Sequence, residues 1–420
     1  MSPQFDRLYP VQPAGDKISS VVSAKQHETE EAELRFMKTF ANRPSNIGFF
    51  ESIVTEKMFS KKTVPRVGYF CRFIPEEIIW ALGAEPVRLD CGNNALVPVG
   101  EEALCGGICP VAKASFGMFM MKDSLASSCD ILLLTAACDA KKKLGEIFSD
   151  SRPVFVLNLP PEKNQTLYAD FVLSEIFRLV VFLEKKLNVK LSAGKLQSAI
   201  EMTKERYNLV MEISQMRMQN PSLLSIHDFY LIIQSSSFYP VPFSKWLSET
   251  RAVCREMRLS KLPADKAVLR LLLTGVPVIF PNFKVLNLIH EAGAEVVADT
   301  LCSGIQSFSD RIILDELDRK SLLRALLNRS VFASLCPCFI SQTWRINRIL
   351  ELLSEIRIDG VLQYSFKSCQ LFDMEDYRIE KILKVKGMPY LNLSTDYSPH
   401  DSEQLRIRLE AFFEMIYRSR

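Results

Sequence analysis

The residues with the clearest capacity for chemistry are cysteines, of which the 420-residue chain contains eleven. Six of them form two similar groups of three, and these are Cys91, Cys109 and Cys138 in the first half, then Cys302, Cys336 and Cys369 in the second. Cys109 and Cys336 each precede a proline, while Cys138 and Cys369 each follow an apolar run that begins with aspartate. Thiolate ligands without histidine favour an iron–sulfur cluster or zinc.

The spacing of the cysteines favours a cluster, but it leaves zinc open. Structural zinc sites usually contain cysteines with two to four residues between them, and Cys105 with Cys109 is the only well-spaced pair of that form. The two glycines before Cys109 would let the backbone approach a bulky inorganic core. A nucleophilic cysteine is a third alternative, which would require a base from among the four histidines.

Not every cysteine is an equal candidate. Cys109, Cys138 and Cys369 are the strongest because they lie at predicted strand ends or in loops. Cys91 and Cys105 could be ligands or bystanders. For a second set, Cys71, Cys129 and Cys254, a small buried apolar side chain is the simpler interpretation, because their surroundings are apolar or helical.

The elements that would position these cysteines follow an α/β pattern that occurs twice. We predict strands at 66–70, 86–89, 130–135 and 153–157, and again at 268–273, 295–298, 360–364 and 390–393. Helices are predicted at 24–40, 78–82, 284–291, 309–327, 343–356 and 404–417, with a helical region between the two repeats. In parallel sheets ligands collect beyond the carboxyl ends of the strands, where Cys138 and Cys369 fall.

The sequence therefore predicts the α/β class, with two Rossmann-like or flavodoxin-like parallel-sheet domains. We expect an N-terminal helical segment at 1–60, a first α/β domain at 61–164, a helical insertion at 165–264 and a second α/β domain at 265–420. Glu77 would lie in the first turn of the helix that follows Pro75, where an acid suits the helix dipole.

Composition restricts the functions that the chain can have. A formal net charge of +3 is nearly balanced and does not indicate a basic surface that would bind nucleic acid. The lysine runs at 61–62 and 141–143, and Lys113, are most simply solvated. The amino terminus lacks a secretory signal, and the longest apolar run, 269–280, is too short to span a membrane. We expect a cytoplasmic protein with reduced thiols. A phosphate-binding loop motif is absent, so any ATP dependence would come from a partner.

Several separated motifs resemble one family. They are GYFCRFIPEEII at 68–79, ALGAEPVRL at 81–89, CPVAKASFG at 109–117, ACDAKKK at 137–143, DGV at 359–361, SCQ at 368–370 and TDYS at 395–398. Together they are similar to the 2-hydroxyacyl-CoA dehydratase and benzoyl-CoA reductase family, over roughly residues 60–420. The TDYS ending, Cys302 and the Cys336/Cys338 pair look most like the double-cubane branch of that family.

The resemblance implies a 4Fe–4S cluster between the two domains, ligated by Cys109, Cys138 and Cys369. In the double-cubane branch an 8Fe–9S cluster is implied, with Cys302, Cys336 and Cys338 as candidates for the additional ligands. An ATP-hydrolysing iron–sulfur activator protein would supply low-potential electrons one at a time, for radical dehydration of a 2-hydroxyacyl-CoA or for reduction of a small molecule.

The resemblance therefore implies an oxygen-sensitive lyase or ATP-linked oxidoreductase, as a homodimer or as a heterodimer with a paralogous subunit. We consider Glu77 as a catalytic residue, although a favourable interaction of its carboxylate with the helix dipole explains its position equally well. The alternatives are a non-catalytic electron-transfer or scaffold subunit and a structural zinc protein.

Overall fold

Two four-stranded parallel sheets organise the chain, and a computed structural model describes residues 14–55, 62–122, 124–263, 268–309, 312–341 and 343–419. The first sheet has the order β2-β1-β3-β4, with β1 Arg66–Tyr69, β2 Glu85–Arg88, β3 Ile131–Thr135 and β4 Val154–Leu157. The second has the order β6-β5-β7-β8, with β5 Leu269–Gly275, β6 Ala294–Asp299, β7 Gly360–Phe366 and β8 Tyr390–Thr395. The predicted α/β class with two Rossmann-like sheets is confirmed.

The two sheets repeat one topology, so equivalent strands end in equivalent places. In the first sheet Val67 pairs with Ile131, and in the second Leu271 pairs with Gly360. The third strand of each repeat, β3 or β7, is buried along its whole length because helices cover both faces. Cys138 and Cys369 lie three residues beyond these two strands, at corresponding edges of the two sheets.

Helices cover the sheets and join them. The chain begins with α1 Asp16–Met37 and α2 Ile47–Thr55. Around the first sheet lie α3 Glu76–Ala81, α4 Val97–Glu101, α5 Pro110–Met120 and α6 Asp139–Phe148. The region between the sheets is α7 Gln165–Leu187, α8 Ala193–Gln219, α9 Ile226–Ser235 and α10 Phe243–Leu259. The second sheet has α11 Lys284–Glu291, α12 Gln306–Ser309, α13 Arg319–Leu327, α14 Thr343–Glu355, α15 Gln370–Val385 and α16 Ser402–Ser419.

Local sequence signals explain where many helices begin and end. Asn164, Ser192 and Ser225 each accept a backbone hydrogen bond at the start of α7, α8 and α9. Gly83 follows α3 with φ +76, a conformation that glycine adopts without strain. The predicted continuous helix at 309–327 is wrong, because α12 ends at Ser309 and α13 begins only after the cap at Asp318. Asp310, which we assigned to that helix, lies outside the described residues.

Alternation along the strands gives each sheet two apolar faces. In the first sheet, Leu133 packs with α7 and α8, while Leu132 and Leu134 pack with Phe116 of α5 and Phe148 of α6. In the second sheet, Leu272 packs against α14 and α15, while Leu271 and Leu273 face the large core shared with α9 to α11 and α16. Each sheet is therefore the middle layer of an α/β/α sandwich.

One segment of the second repeat packs against the first. The buried leucines of α13, with Val331, Phe332 and Phe339, belong to the same apolar cluster as α7, α8 and the first sheet. Ile340 then donates a backbone hydrogen bond to Pro161 at 2.7 Å, just after β4. This packing places the loop of Cys336 and Cys338 against the first sheet. Within the described ranges, no helix has the length and apolarity that a membrane crossing requires.

Candidate metal centre

Three cysteines each stand immediately before a helix. Cys109 is the N-cap of α5, Cys138 of α6 and Cys369 of α15. First-turn backbone N–H groups, from Ala112, Lys141 and Phe372 respectively, act to lower the pKa of these thiols. A helix N-terminus carries partial positive charge and stabilises a thiolate. We call Cys109, Cys138 and Cys369 the central cysteines.

The central cysteines influence one another electrostatically, although two belong to the first repeat and one to the second. Burial raises the pKa of each, that of Cys369 to about 12. Cys138 further raises the pKa of Cys109, and both raise that of Cys369, so the three thiols lie within electrostatic reach of one another. A cationic metal centre would stabilise all three thiolates at once, because metal binding deprotonates cysteine. Three thiols without histidine are, in their chemistry, the donor type that iron–sulfur clusters use.

Further thiols border this group. The charge of Cys336 raises the pKa of Cys138 and that of Cys302. A hydrogen bond between the Cys336 and Cys338 side chains is the main cause that raises the pKa of Cys336. These contacts follow from the packing of α13, which carries the loop of Cys336 to the first sheet.

Cys71, which we interpreted as an ordinary buried thiol, lies within electrostatic reach of Cys138. It lies at the end of β1 with φ +63, a strained conformation for a residue other than glycine. Its pKa is raised, mainly by burial, and the charge of Cys138 raises it further. Its place just after a strand was the signal in the sequence that indicated this location.

The remaining cysteines are placed elsewhere. Cys129 and Cys254 are buried, as their apolar contexts predict. Cys105 is exposed. Cys91 is buried, and the charges that act on it come from Glu30 and Asp90 rather than from another thiol. Among the residues described, no three His, Cys, Asp or Glu side chains are grouped so that they could hold a single metal ion.

A buried ion-pair group lies behind the central cysteines. Asp90 accepts hydrogen bonds from Arg88 Nε at 2.6 Å, from the backbone N–H of Cys71 at 3.1 Å and from Lys141 Nζ. Despite its burial, the Asp90 carboxyl has a lowered pKa because Lys141 and Arg88 stabilise its charge. Lys141 also acts to lower the pKa of Cys109 and Cys138. The group therefore places positive charge where thiolates would form.

Two lysines that we predicted to be solvated are buried. Lys141 is only 7% exposed, since it pairs with Asp90 and its Nζ lies 4.8 Å from the Phe70 ring centroid. Lys113 is likewise buried, and its Nζ donates to Glu101 and to the Gly106 carbonyl, each at 2.7 Å. The prediction is correct for Lys142 and Lys143, which are exposed. Lysine is rarely buried unless it is paired, and these partners could not be read from the sequence.

Glu77 lies in the first turn of α3, as predicted, and is completely buried. One carboxylate oxygen accepts hydrogen bonds from Thr203 at 3.0 Å and Tyr207 at 2.9 Å, and the other from Arg329 at 2.8 Å. The side chain therefore joins α3, α8 and the segment after α13. Its catalytic role stays a prediction.

The fold and the site define an α/β protein with two parallel sheets, in which thiols follow the carboxyl ends of equivalent strands. A family model described as the D-component of 2-hydroxyglutaryl-CoA dehydratase matches residues 71–416. The chain belongs to this family, which confirms the resemblance of its motifs.

Named relatives agree with that membership. The chain is 26% identical over 362 residues to “Putative dehydratase subunit YjiM” of Escherichia coli (strain K12). The aligned region covers 85% of this chain and 92% of that protein. It is 20% identical over 356 residues to the (R)-phenyllactyl-CoA dehydratase beta subunit of Clostridium sporogenes, covering 83% and 91% respectively. The identity is also 20%, over 358 residues, to the beta subunit of (R)-2-hydroxyglutaryl-CoA dehydratase from Acidaminococcus fermentans, covering 83% and 92%.

Proposed function

We propose that this chain is an iron–sulfur subunit of a 2-hydroxyacyl-CoA dehydratase-type enzyme, with a 4Fe–4S cluster bound by the central cysteines. The observation that supports the proposal most is that each thiol precedes the N-terminus of a different helix and lies within electrostatic reach of the others. Thiolates are the usual protein ligands of such clusters.

The chain's own residues would hold and tune the group. Cys109 and Cys138 would bind it from the first repeat and Cys369 from the second, so binding would tie the two sheets together. Backbone N–H groups of the three helix N-termini and the nearby Lys141 would offset negative charge. When bound, a 4Fe–4S cluster accepts and donates single electrons at a potential that burial, charge and hydrogen bonds set.

We extend the proposal to a second set of thiols. Cys302, Cys336 and Cys338 are candidates for the additional ligands of an 8Fe–9S double cubane. Support comes from the electrostatic contact of Cys336 with both Cys138 and Cys302. A binding region that extends from Cys369 through Cys138 and Cys336 to Cys302 would suit a larger cluster better than a single metal ion.

The partners and the reaction are proposed from kinship. Two relatives are named as beta subunits of CoA-ester dehydratases, so we propose a paralogous partner subunit or a second copy of this chain. An ATP-hydrolysing iron–sulfur activator would supply the electrons. The reaction would be dehydration of a 2-hydroxyacyl-CoA, as in a lyase, or an ATP-linked reduction.

Substitution of one central cysteine tests the proposal. Cys138→Ser, produced and purified anaerobically, should lose most of its iron and visible absorbance because serine is a poor substitute for a thiolate. Cys254→Ser is the matched control, since that thiol is buried away from the site, and it should keep the wild-type iron content. Full iron retention by Cys138→Ser contradicts the ligand assignment.

A second function is a subunit that holds a cluster without performing the reaction. It is favoured by the beta-subunit names of the relatives. Assays of this chain with an activator, first alone and then with a paralogous subunit, distinguish the two. Turnover by this chain alone excludes the scaffold function.

A further inference from the structure

A pocket is lined in part by Ser303, the residue after Cys302, and by none of the central cysteines. Its walls come from the first sheet, the helices between the sheets and the second repeat, with Arg88, Tyr207, Ser303, Arg329 and Ser330 among them. We call these five residues and their enclosed space the arginine pocket. Tyr207 and Ser303 are at most 8% exposed, and the other three residues are buried to a similar degree.

Positive charge exceeds negative charge around this pocket, because its lining carboxylate, Glu76, is already paired with buried Arg206. Arg329 is paired with Glu77 at 2.8 Å. Arg88, however, shares the Asp90 carboxylate with Lys141, so two buried cations have one carboxylate between them. Arg88 also donates to the Cys302 carbonyl at 2.7 Å, which turns its guanidinium toward the second repeat. A buried excess cation is unfavourable, so an anion here would be stabilised.

Unused donors point to the same kind of ligand. The hydroxyl oxygens of Ser303 and Ser330, together with Arg329 Nε, are buried and have no hydrogen-bond partner among the described residues. Ser307 also lines the pocket, but its hydroxyl already donates to the Cys302 carbonyl at 2.7 Å. Buried polar atoms are nearly always paired, so three unpaired atoms in residues that line one pocket indicate a missing partner.

We infer that the arginine pocket binds a small carboxylate anion, whose oxygens accept hydrogen bonds from Arg329 Nε and the hydroxyls of Ser303 and Ser330. A planar guanidinium and two hydroxyl donors match the acceptor oxygens of a carboxylate. The large Tyr69, Tyr207 and Phe238 side chains around the pocket favour a ligand of few carbons. This inference goes beyond the proposed function, because it does not require that a cluster is bound.

Acetate tests the inference, with acetamide as its neutral counterpart of the same shape. Calorimetric titrations and thermal unfolding would use the anaerobically purified full chain at constant ionic strength, with its iron content recorded. Acetate should bind saturably and raise the melting temperature as its concentration increases, while acetamide should do neither. Equal responses to the two compounds, or no response to acetate, overturn the inference.

Substitutions of residues that line the arginine pocket test whether acetate binds there. Ser303→Ala combined with Ser330→Ala should weaken acetate binding about tenfold or more, since two hydrogen-bond donors are lost. Ser307→Ala is the matched control and should bind acetate as the wild type does, because its hydroxyl is already engaged. Unchanged affinity in the double variant, or an equal loss in Ser307→Ala, contradicts the assignment. Iron content separates the two proposals. If anaerobically purified wild-type protein contains no iron but still binds acetate, the cluster proposal fails and the proposal of an anion pocket stands.

Discussion

Lys141, in the first turn of α6, forms a buried ion pair with Asp90, which follows β2 in the same repeat. Arg88 binds the other oxygen of the same carboxylate at 2.6 Å. The backbone N–H of Cys71 also donates to Asp90. The pair therefore connects the loops after β1, β2 and β3, and it fixes the start of the helix that Cys138 caps.

Removal of the Asp90 charge should destabilise the fold. Asp90→Asn leaves Arg88 and Lys141 buried without their common carboxylate, so we expect a loss of about 3–5 kcal/mol in the free energy of unfolding. Denaturant titration followed by circular dichroism measures the change. Glu146→Gln is the control, since Glu146 pairs with Lys143 at the surface and its loss should have no measurable effect. Equal stability of Asp90→Asn and wild type contradicts the ion-pair network.

Glu33 of α1 should give the protein a pH-dependent stability. Burial raises the pKa of this carboxyl from 4.5 to about 7, although Asn287 donates a hydrogen bond to it at 3.0 Å. Between these pH values the folded state keeps a proton that the unfolded state releases, so stability falls as pH rises through this window. Glu33→Gln should remove this slope and be more stable than wild type at pH 8 by about 2–3 kcal/mol.

Unfolding titrations from pH 5 to 8 measure this effect. Glu31→Gln is the control, because Glu31 lies two residues away on the exposed side of the same helix. It should leave the slope of the wild type unchanged. A wild-type stability that does not fall between pH 5 and 7, relative to Glu33→Gln, would show that Glu33 is ionised in the folded protein.

Cys302, Cys336 and Cys338, which we call the outer thiols, should be less important for iron binding than the central cysteines. Cys302→Ser should retain the iron that Cys109, Cys138 and Cys369 hold, whereas Cys138→Ser should lose it. Iron and acid-labile sulfide analysis of both variants, purified side by side without oxygen, gives the comparison. If Cys302→Ser is as depleted as Cys138→Ser, Cys302 belongs to the primary ligand set.

Glu77 should be important for stability whether or not it takes part in a reaction. Glu77→Gln removes the charge that pairs with buried Arg329, so we expect a loss of about 2–4 kcal/mol with the iron content retained. Chemical denaturation, with exposed Glu102→Gln as the control, measures it. A variant as stable as wild type but without activity would instead favour the catalytic role.

Local signals in the sequence were sufficient for the repeated strands and for two of the central cysteines. Apolar runs marked β3 and β7, and the rule for parallel sheets then placed Cys138 and Cys369 beyond the carboxyl ends of these strands. The packing of α13 against the first repeat could not be read locally, because it depends on contacts between distant segments. The same reason hid the burial of Lys141, whose partner Asp90 is 51 positions away.

Metal analysis of the anaerobically purified wild-type chain tests the central claim most directly. Iron, acid-labile sulfide and zinc would be measured per chain, together with the visible absorbance. We predict brown protein with about four iron atoms if the central cysteines alone bind a cubane, or about eight if the outer thiols complete a double cubane. Colourless protein that contains zinc in place of iron and sulfide would contradict the account.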